Sequence, residues 1–117
     1  MFEFKRKDGS ISQLGWGTWA MKKYCDLRGF TLEEYFIWLG QEGGIPVMDL
    51  PLILKVALDF GARGKKEFTE FDGAELIDED GGLSAKDGQI KSFFKWLIDS
   101  HTVNTSEPQE EKKSLNE

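Results

Sequence analysis

Asp49-Leu50-Pro51-Leu52-Ile53-Leu54-Lys55-Val56-Ala57-Leu58-Asp59-Phe60 is the stretch on which the fold turns. Asp49 can cap a helix, and Pro51 stands in the first turn, where a missing N–H costs nothing. Leu50, Leu52, Ile53, Leu54, Val56, Ala57, Leu58 and Phe60 leave that helix almost without a polar face. A helix of this kind is stable only when neighbours cover it on several sides. Residues 49–60 are therefore expected to form the central core element, with the rest of the chain arranged around them. Gly61 and Gly64 then punctuate a turn carrying Arg63, Lys65 and Lys66, where positive charge faces the favourable end of the helix dipole.

Upstream, Phe30-Thr31-Leu32-Glu33-Glu34-Tyr35 carries a helix start: Thr31 caps, Glu34 completes a capping box, and Phe30 and Tyr35 occupy the staple positions. The spacing predicts Leu32, Tyr35, Phe36 and Leu39 as the buried stripe, with Gly40, Gly43 and Gly44 as the stop. An earlier helix is expected over Thr18 to Arg28, capped by Thr18 and closed by Gly29, with Ala20, Met21, Tyr24 and Leu27 on one face and Cys25 at its edge. Before it, alternation in Phe2-Glu3-Phe4-Lys5, an Asp8-Gly9 turn and a return over Ile11 to Leu14 spell a short β-hairpin.

Downstream, a short helix should cover Asp72 to Glu79, with Leu76 and Ile77 inward and Gly81-Gly82 as its stop. A last helix is expected over residues 84–101, opened by Ser84 and Asp87, with Ile90, Phe93, Phe94, Leu97 and Ile98 at one-sided spacing. From Thr102 the chain is polar and cannot bury enough to stay ordered. The expected fold class is mainly α: a compact bundle of four to five helices in a single domain over residues 1–101, with an N-terminal β-hairpin in residues 1–14 and a disordered tail over residues 102–117.

Composition narrows the function. An apolar fraction of 39%, with 13% aromatic, is enough to offset the entropy of ordering one core. A net charge of -6 repels nucleic acid phosphates and anionic lipid, so neither is expected as a main partner. Charge is uneven: residues 1–30 hold Lys5, Arg6, Lys7, Lys22, Lys23 and Arg28 against Glu3, Asp8 and Asp26. Cys25, the only cysteine, excludes an internal disulfide and fits a reducing compartment. The apolar window of residues 45–60 is broken by Asp49, Lys55 and Asp59, and the N-terminus lacks the apolar stretch of a secretion signal. No membrane association is expected, and a cytoplasmic setting is.

The chemical motifs fall away on inspection. Asp78-Glu79-Asp80-Gly81-Gly82 invites a calcium loop, but Gly82 fills a ligand position, Leu83 stands where glycine is needed, and Gln89 replaces the closing glutamate. Gly61-Ala62-Arg63-Gly64-Lys65-Lys66 resembles a phosphate loop without its first glycine or its Ser/Thr. His101 is the only histidine, at a helix end, and Cys25 has none nearby in sequence. Glu33-Glu34 and Glu75-Asp78-Glu79 fall on faces expected to be exposed, where nothing raises a carboxyl pKa. No catalytic residue, cofactor or metal is expected.

What stands out instead is a set of large apolar residues off the predicted stripes. Trp19 shares a face with Lys22, Lys23 and Asp26, Ile37 points away from its stripe, and Trp38 and Trp96 lie at the margins of theirs. Aromatics outside a core often anchor protein interfaces, so Trp19, Ile37, Trp38 and Trp96 are the expected partner-binding residues. Self-association would use the same pattern.

Residues 14–40 (LGWGTWAMKKYCDLRGFTLEEYFIWLG), 49–63 (DLPLILKVALDFGAR), 71–82 (FDGAELIDEDGG) and 88–101 (GQIKSFFKWLIDSH) together resemble the tail assembly chaperones of tailed bacteriophages and gene transfer agents. The resemblance rests on helix lengths, short linkers and hydrophobic spacing, and it transfers no individual residue. It implies a non-enzymatic helical protein in the host cytoplasm that binds the tape measure protein and tail tube subunits during tail morphogenesis. The other reading of the same aromatics is a small regulatory or adaptor protein gripping a folded target.

Overall fold

The computed structural model describes residues 1–40, 49–82 and 88–105, with the backbone alone from His101 onward. Two strands and five helices follow one another: β1 (Phe2–Lys5), β2 (Ile11–Leu14), α1 (Thr18–Arg28), α2 (Leu32–Leu39), α3 (Leu50–Gly61), α4 (Glu70–Glu79) and α5 (Gln89–Thr105). The chain is a helical bundle with an antiparallel N-terminal hairpin. Phe2 lies opposite Leu14 and Phe4 opposite Ser12. At the turn, Gly9 has φ +90°, and the Asp8 carboxylate accepts the Ser10 N–H at 2.8 Å.

The reason α3 is central is visible in its burial. Ile53, Leu54, Lys55, Val56, Ala57, Leu58 and Asp59 are buried in succession, so every side of the helix has a neighbour. α1, α4 and β2 all pack on it, and the Gly15 N–H donates to the Ala57 carbonyl at 3.1 Å where β2 leaves the hairpin. Each fully buried aliphatic side chain contributes roughly 1.5–3 kcal/mol. α4 packs against the backbone of α3 at Gly73, where a Cβ would stand 2.3 Å from the Pro51 carbonyl oxygen. Only glycine lets the two backbones meet there.

The two charges inside α3 are not stranded. Asp59 takes Lys55 one turn before it, the Lys23 ammonium at 3.1 Å and the Phe68 N–H at 2.6 Å. Lys55 also reaches Glu67 at 3.4 Å. Burial works against the Lys55 charge, but Asp59 and Glu67 carry its pKa up. A buried pair survives only with such supplementary partners.

Helix termini follow the expectations in part. Thr31 and Glu34 exchange both bonds of the capping box, at 3.1 and 2.8 Å. Gly29 closes α1 at φ +71°. Thr18, however, is the first residue of α1 and not its cap; Gly17 holds the cap position and has no side chain to bond with, and its carbonyl accepts the Met21 N–H at 2.9 Å. Asp49 occupies the cap of α3 without bonding its N–H groups, because its carboxylate is taken by Arg28 and by the Trp38 indole. α4 begins two residues earlier than expected, at Glu70, through a second capping box between Thr69 and Asp72.

The buried stripe of α2 is a correction. Tyr35 and Trp38 face the core and Leu39 is half-buried, whereas Leu32 and Phe36 are exposed. Six of the eight residues of α2, LEEYFIWL, are apolar, so spacing alone leaves several faces equivalent. Polar tips decide. The Tyr35 hydroxyl accepts the Trp16 indole N–H at 2.9 Å, and the Trp38 indole donates to Asp49 at 3.3 Å, both inside the bundle. Leu27 and Ile98, also expected inward, are exposed.

α5 is capped from a distance. The Asp80 carboxylate accepts the Gln89 N–H at 2.8 Å and the Ile90 N–H at 3.0 Å. The expected cap at Ser84 and Asp87 lies outside the described residues. Phe93 and Leu97 are buried, Ile90, Phe94 and Trp96 half-buried. The helix continues through Thr105, four residues past His101, since an anchored helix gains one hydrogen bond per residue added. The rest of the expected tail, residues 106–117, lies outside the described residues.

Candidate protein-binding surface

The four residues singled out for partner contact are placed differently from one another. Trp19, in the first turn of α1, is 43% exposed, its ring 6.2 Å from Phe60 and 5.2 Å from the Lys23 ammonium. Ile37, on the outward side of α2, is 64% exposed. Trp96 is half-buried, stacked on Phe93 at 5.8 Å and tilted against Phe2 at 6.4 Å.

Trp38 is a correction, since its indole is only 6% exposed. It lies among Tyr24, Phe30 and Tyr35 with ring centroids 4.9, 6.3 and 5.7 Å away. A ring so enclosed is a core residue, and no partner reaches it without opening the fold. The remaining three do not converge: Trp19 rests on the end of α3, Ile37 on no core face, and Trp96 on the hairpin.

Other exposed apolar residues were not marked by spacing. Leu32 and Phe36 join Ile37 on the outside of α2, because Tyr35 and Trp38 turn that helix by their hydrogen bonds. Phe71 is 72% exposed in the first turn of α4, between Glu70 and Asp72. Its signal was local: an aromatic flanked by two acids directly after a capping threonine, on the turn that must face water. A cavity of about 290 Å³ opens beside Trp19, lined by Met1, Trp19, Phe60 and Arg63. Arg63 has no ion pair among the described residues, and its φ of +57° is rare for a residue with a Cβ.

The chemically capable groups are engaged elsewhere. Arg6 holds Glu79 through Nε at 2.9 Å and Nη2 at 2.5 Å, and the Lys7 N–H adds a third bond at 3.1 Å. These bonds pull the Glu79 carboxyl down to about 2. Asp80 caps α5, so two acids of the calcium-like segment already have partners. Burial pushes the Cys25 thiol up, and Asp26 adds to the shift, which keeps it protonated and a poor nucleophile. Burial likewise pushes the Tyr35 hydroxyl up to about 12, with the Trp16 N–H working the other way. Among the described residues no three metal-ligating side chains gather, and no helix is long and apolar enough to cross a membrane.

What the arrangement can do is present apolar surface to a macromolecule: the outer side of α2, Phe71 on α4, and the Trp19 cavity. No family model, no curated protein and no solved structure matches this chain.

Proposed function

We propose that this chain is a non-catalytic protein-binding module, acting as a tail assembly chaperone that holds the tape measure protein and tail tube subunits in the host cytoplasm. The observation that supports binding is the outer side of α2. Leu32, Phe36 and Ile37 are large, apolar and exposed on a helix whose opposite side is fixed in the core by Tyr35 and Trp38. Exposed apolar groups on a rigid element cost little entropy when covered, and they suit shallow, repeated, reversible contacts with an elongated helical partner. The phage-tail reading itself rests on the order and lengths of the helices and their short linkers. Self-association through the same face belongs to this proposal.

The test is site-specific photo-crosslinking from position 37 in the native context, followed by mass spectrometry. Crosslinks to a long helical protein encoded beside this chain, or to tube subunits, are the expected result. Crosslinks confined to a folded host protein would replace the chaperone by the adaptor reading. A position 37 that reacts with water alone would remove the binding role of α2.

A further inference from the structure

We infer that the cavity between α1 and the end of α3 is a receptor for an acidic peptide segment anchored by one apolar side chain. It rests on the reading that the chain grips protein, and it adds the chemistry accepted at a second place. The cavity, about 290 Å³ and lined by Met1, Trp19, Phe60 and Arg63, is at the small end of the ~300–1,000 Å³ range of small-molecule sites. That is room for one large side chain and too little for a nucleotide cofactor. Its wall is the tilted pair of Trp19 and Phe60, which offers aromatic faces to an aliphatic or aromatic anchor.

The rim is cationic. Lys23 stands over the Trp19 ring, Arg63 lines the mouth, and Lys65 and Lys66 follow on the same exposed loop. The nearby carboxylates Asp59 and Glu67 are already held by Lys55 and Lys23. Among the described residues no carboxylate pairs with Arg63, Lys65 or Lys66. With Lys23 and Lys55 set against Asp59 and Glu67, the three exposed cations Arg63, Lys65 and Lys66 are left in excess beside the cavity, in a chain whose net charge is -6. The local field is opposite in sign to the average one, and it selects negative partners.

The loop is also fixed in place. Arg63 donates its N–H to the Phe60 carbonyl at 2.8 Å, Gly64 to Asp59 at 2.9 Å, and Lys65 to Ala62 at 3.0 Å. Arg63 is thereby held in a left-handed backbone conformation at the cavity mouth, so little order must be created on binding. A polyanionic nucleic acid would meet the repulsion of the whole chain, whereas a short acidic segment meets only the rim.

The experiment titrates the ¹⁵N-labelled full chain with a short peptide holding one leucine among glutamates, following the indole N–H signals. The Trp19 signal is identified by its loss in Trp19→Phe. Three further probes are the same peptide with Gln for Glu, with Ser for Leu, and a single-stranded DNA oligonucleotide. The expected result is a saturable shift of the Trp19 signal that weakens with salt, fails with the Gln and Ser peptides, and loses about fivefold in affinity in Arg63→Glu or Lys65→Glu. Equal binding of the Gln peptide, tighter binding of DNA, a shift only at another indole, no shift, or indifference to both charge reversals would each overturn the inference. Ile37→Ser should leave this titration unchanged while reducing partner capture by α2, so the two readings fail separately.

Discussion

Replacing Gly73 by alanine sets two physical effects against each other in one experiment. Gly73 lies in the interior of α4, where alanine is the better helix former by about 0.8–1.0 kcal/mol. Helix propensity alone therefore predicts a more stable protein. The structure predicts the reverse. A Cβ at this position would stand 2.3 Å from the Pro51 carbonyl oxygen, with the Pro51 carbonyl carbon and the Lys55 nitrogen both at 3.1 Å. All three atoms are backbone of α3, so no rotamer change relieves the clash, and α4 must move off the central helix. Overpacking of this kind costs about 1–3 kcal/mol, and the loss of contacts around Leu76 and Ile77 places this case near the top of that range. After subtracting the propensity gain, Gly73→Ala should destabilise the domain by about 1–2 kcal/mol. Urea unfolding followed by tryptophan fluorescence and far-ultraviolet dichroism reads this as a lower midpoint at unchanged slope. In a domain of this size the melting temperature should fall by about 4–15 °C. A midpoint equal to or above that of the parent would show that α3 and α4 do not meet at Gly73, and the placement of α4 would have to be abandoned.

Tyr35→Phe should cost about 1–3 kcal/mol in the same urea assay, because it leaves the buried Trp16 N–H without its acceptor; a neutral result would mean that water or another group replaces the hydroxyl. Acid should weaken the hold of the hairpin on α4: the Glu79 carboxyl is pulled down from 4.5 to about 2, so its contribution is fully present above 4.5 and disappears as pH falls through about 2. With solvent screening the step is about 1 kcal/mol, and comparing urea midpoints of the parent and Glu79→Gln across that window should show the parent losing its advantage at the acid end. Trp38→Ala should cost about 3–5 kcal/mol, whereas Ile37→Ser should change stability by no more than about 0.5 kcal/mol and lower partner capture; thermal melts of the two variants side by side check the assignment of inner and outer faces.

Much of the architecture was readable before any coordinates, because the signals that set it are local. The apolar run of α3, the Thr31 and Glu34 box, and the Asp8-Gly9 turn each lie within a few residues of what they determine. The orientation of α2 was not readable, since its apolar residues are spread round the helix and the choice depends on Trp16 and Asp49, distant partners that only the fold supplies. Asp80 was read as part of a failed calcium loop and in fact caps α5, across a gap of nine residues that no capping rule spans. Lys55 and Asp59 looked like interruptions of an apolar run, but Lys23 and Glu67 convert them into a buried cluster. The cavity beside Trp19 joins α1, α3 and the N-terminal residue, a juxtaposition that hydrophobic spacing cannot express.

The hairpin holds onto the last helix: Lys5 exchanges two backbone hydrogen bonds with the Gln89 side chain, at 2.7 and 2.9 Å, and Phe2 packs edge-on against Phe93. The contacts of β1 with α5 therefore form only once residues 89–93 are present, although its pairing with β2 closes locally, with Phe2 opposite Leu14. The step that docks the hairpin on α5 joins residues 84 apart in sequence. Closure of so long a loop is slow. Until that step is complete, Phe2 of the hairpin and Phe93 of α5 lack each other's cover, and the chain is most open to capture by other chains.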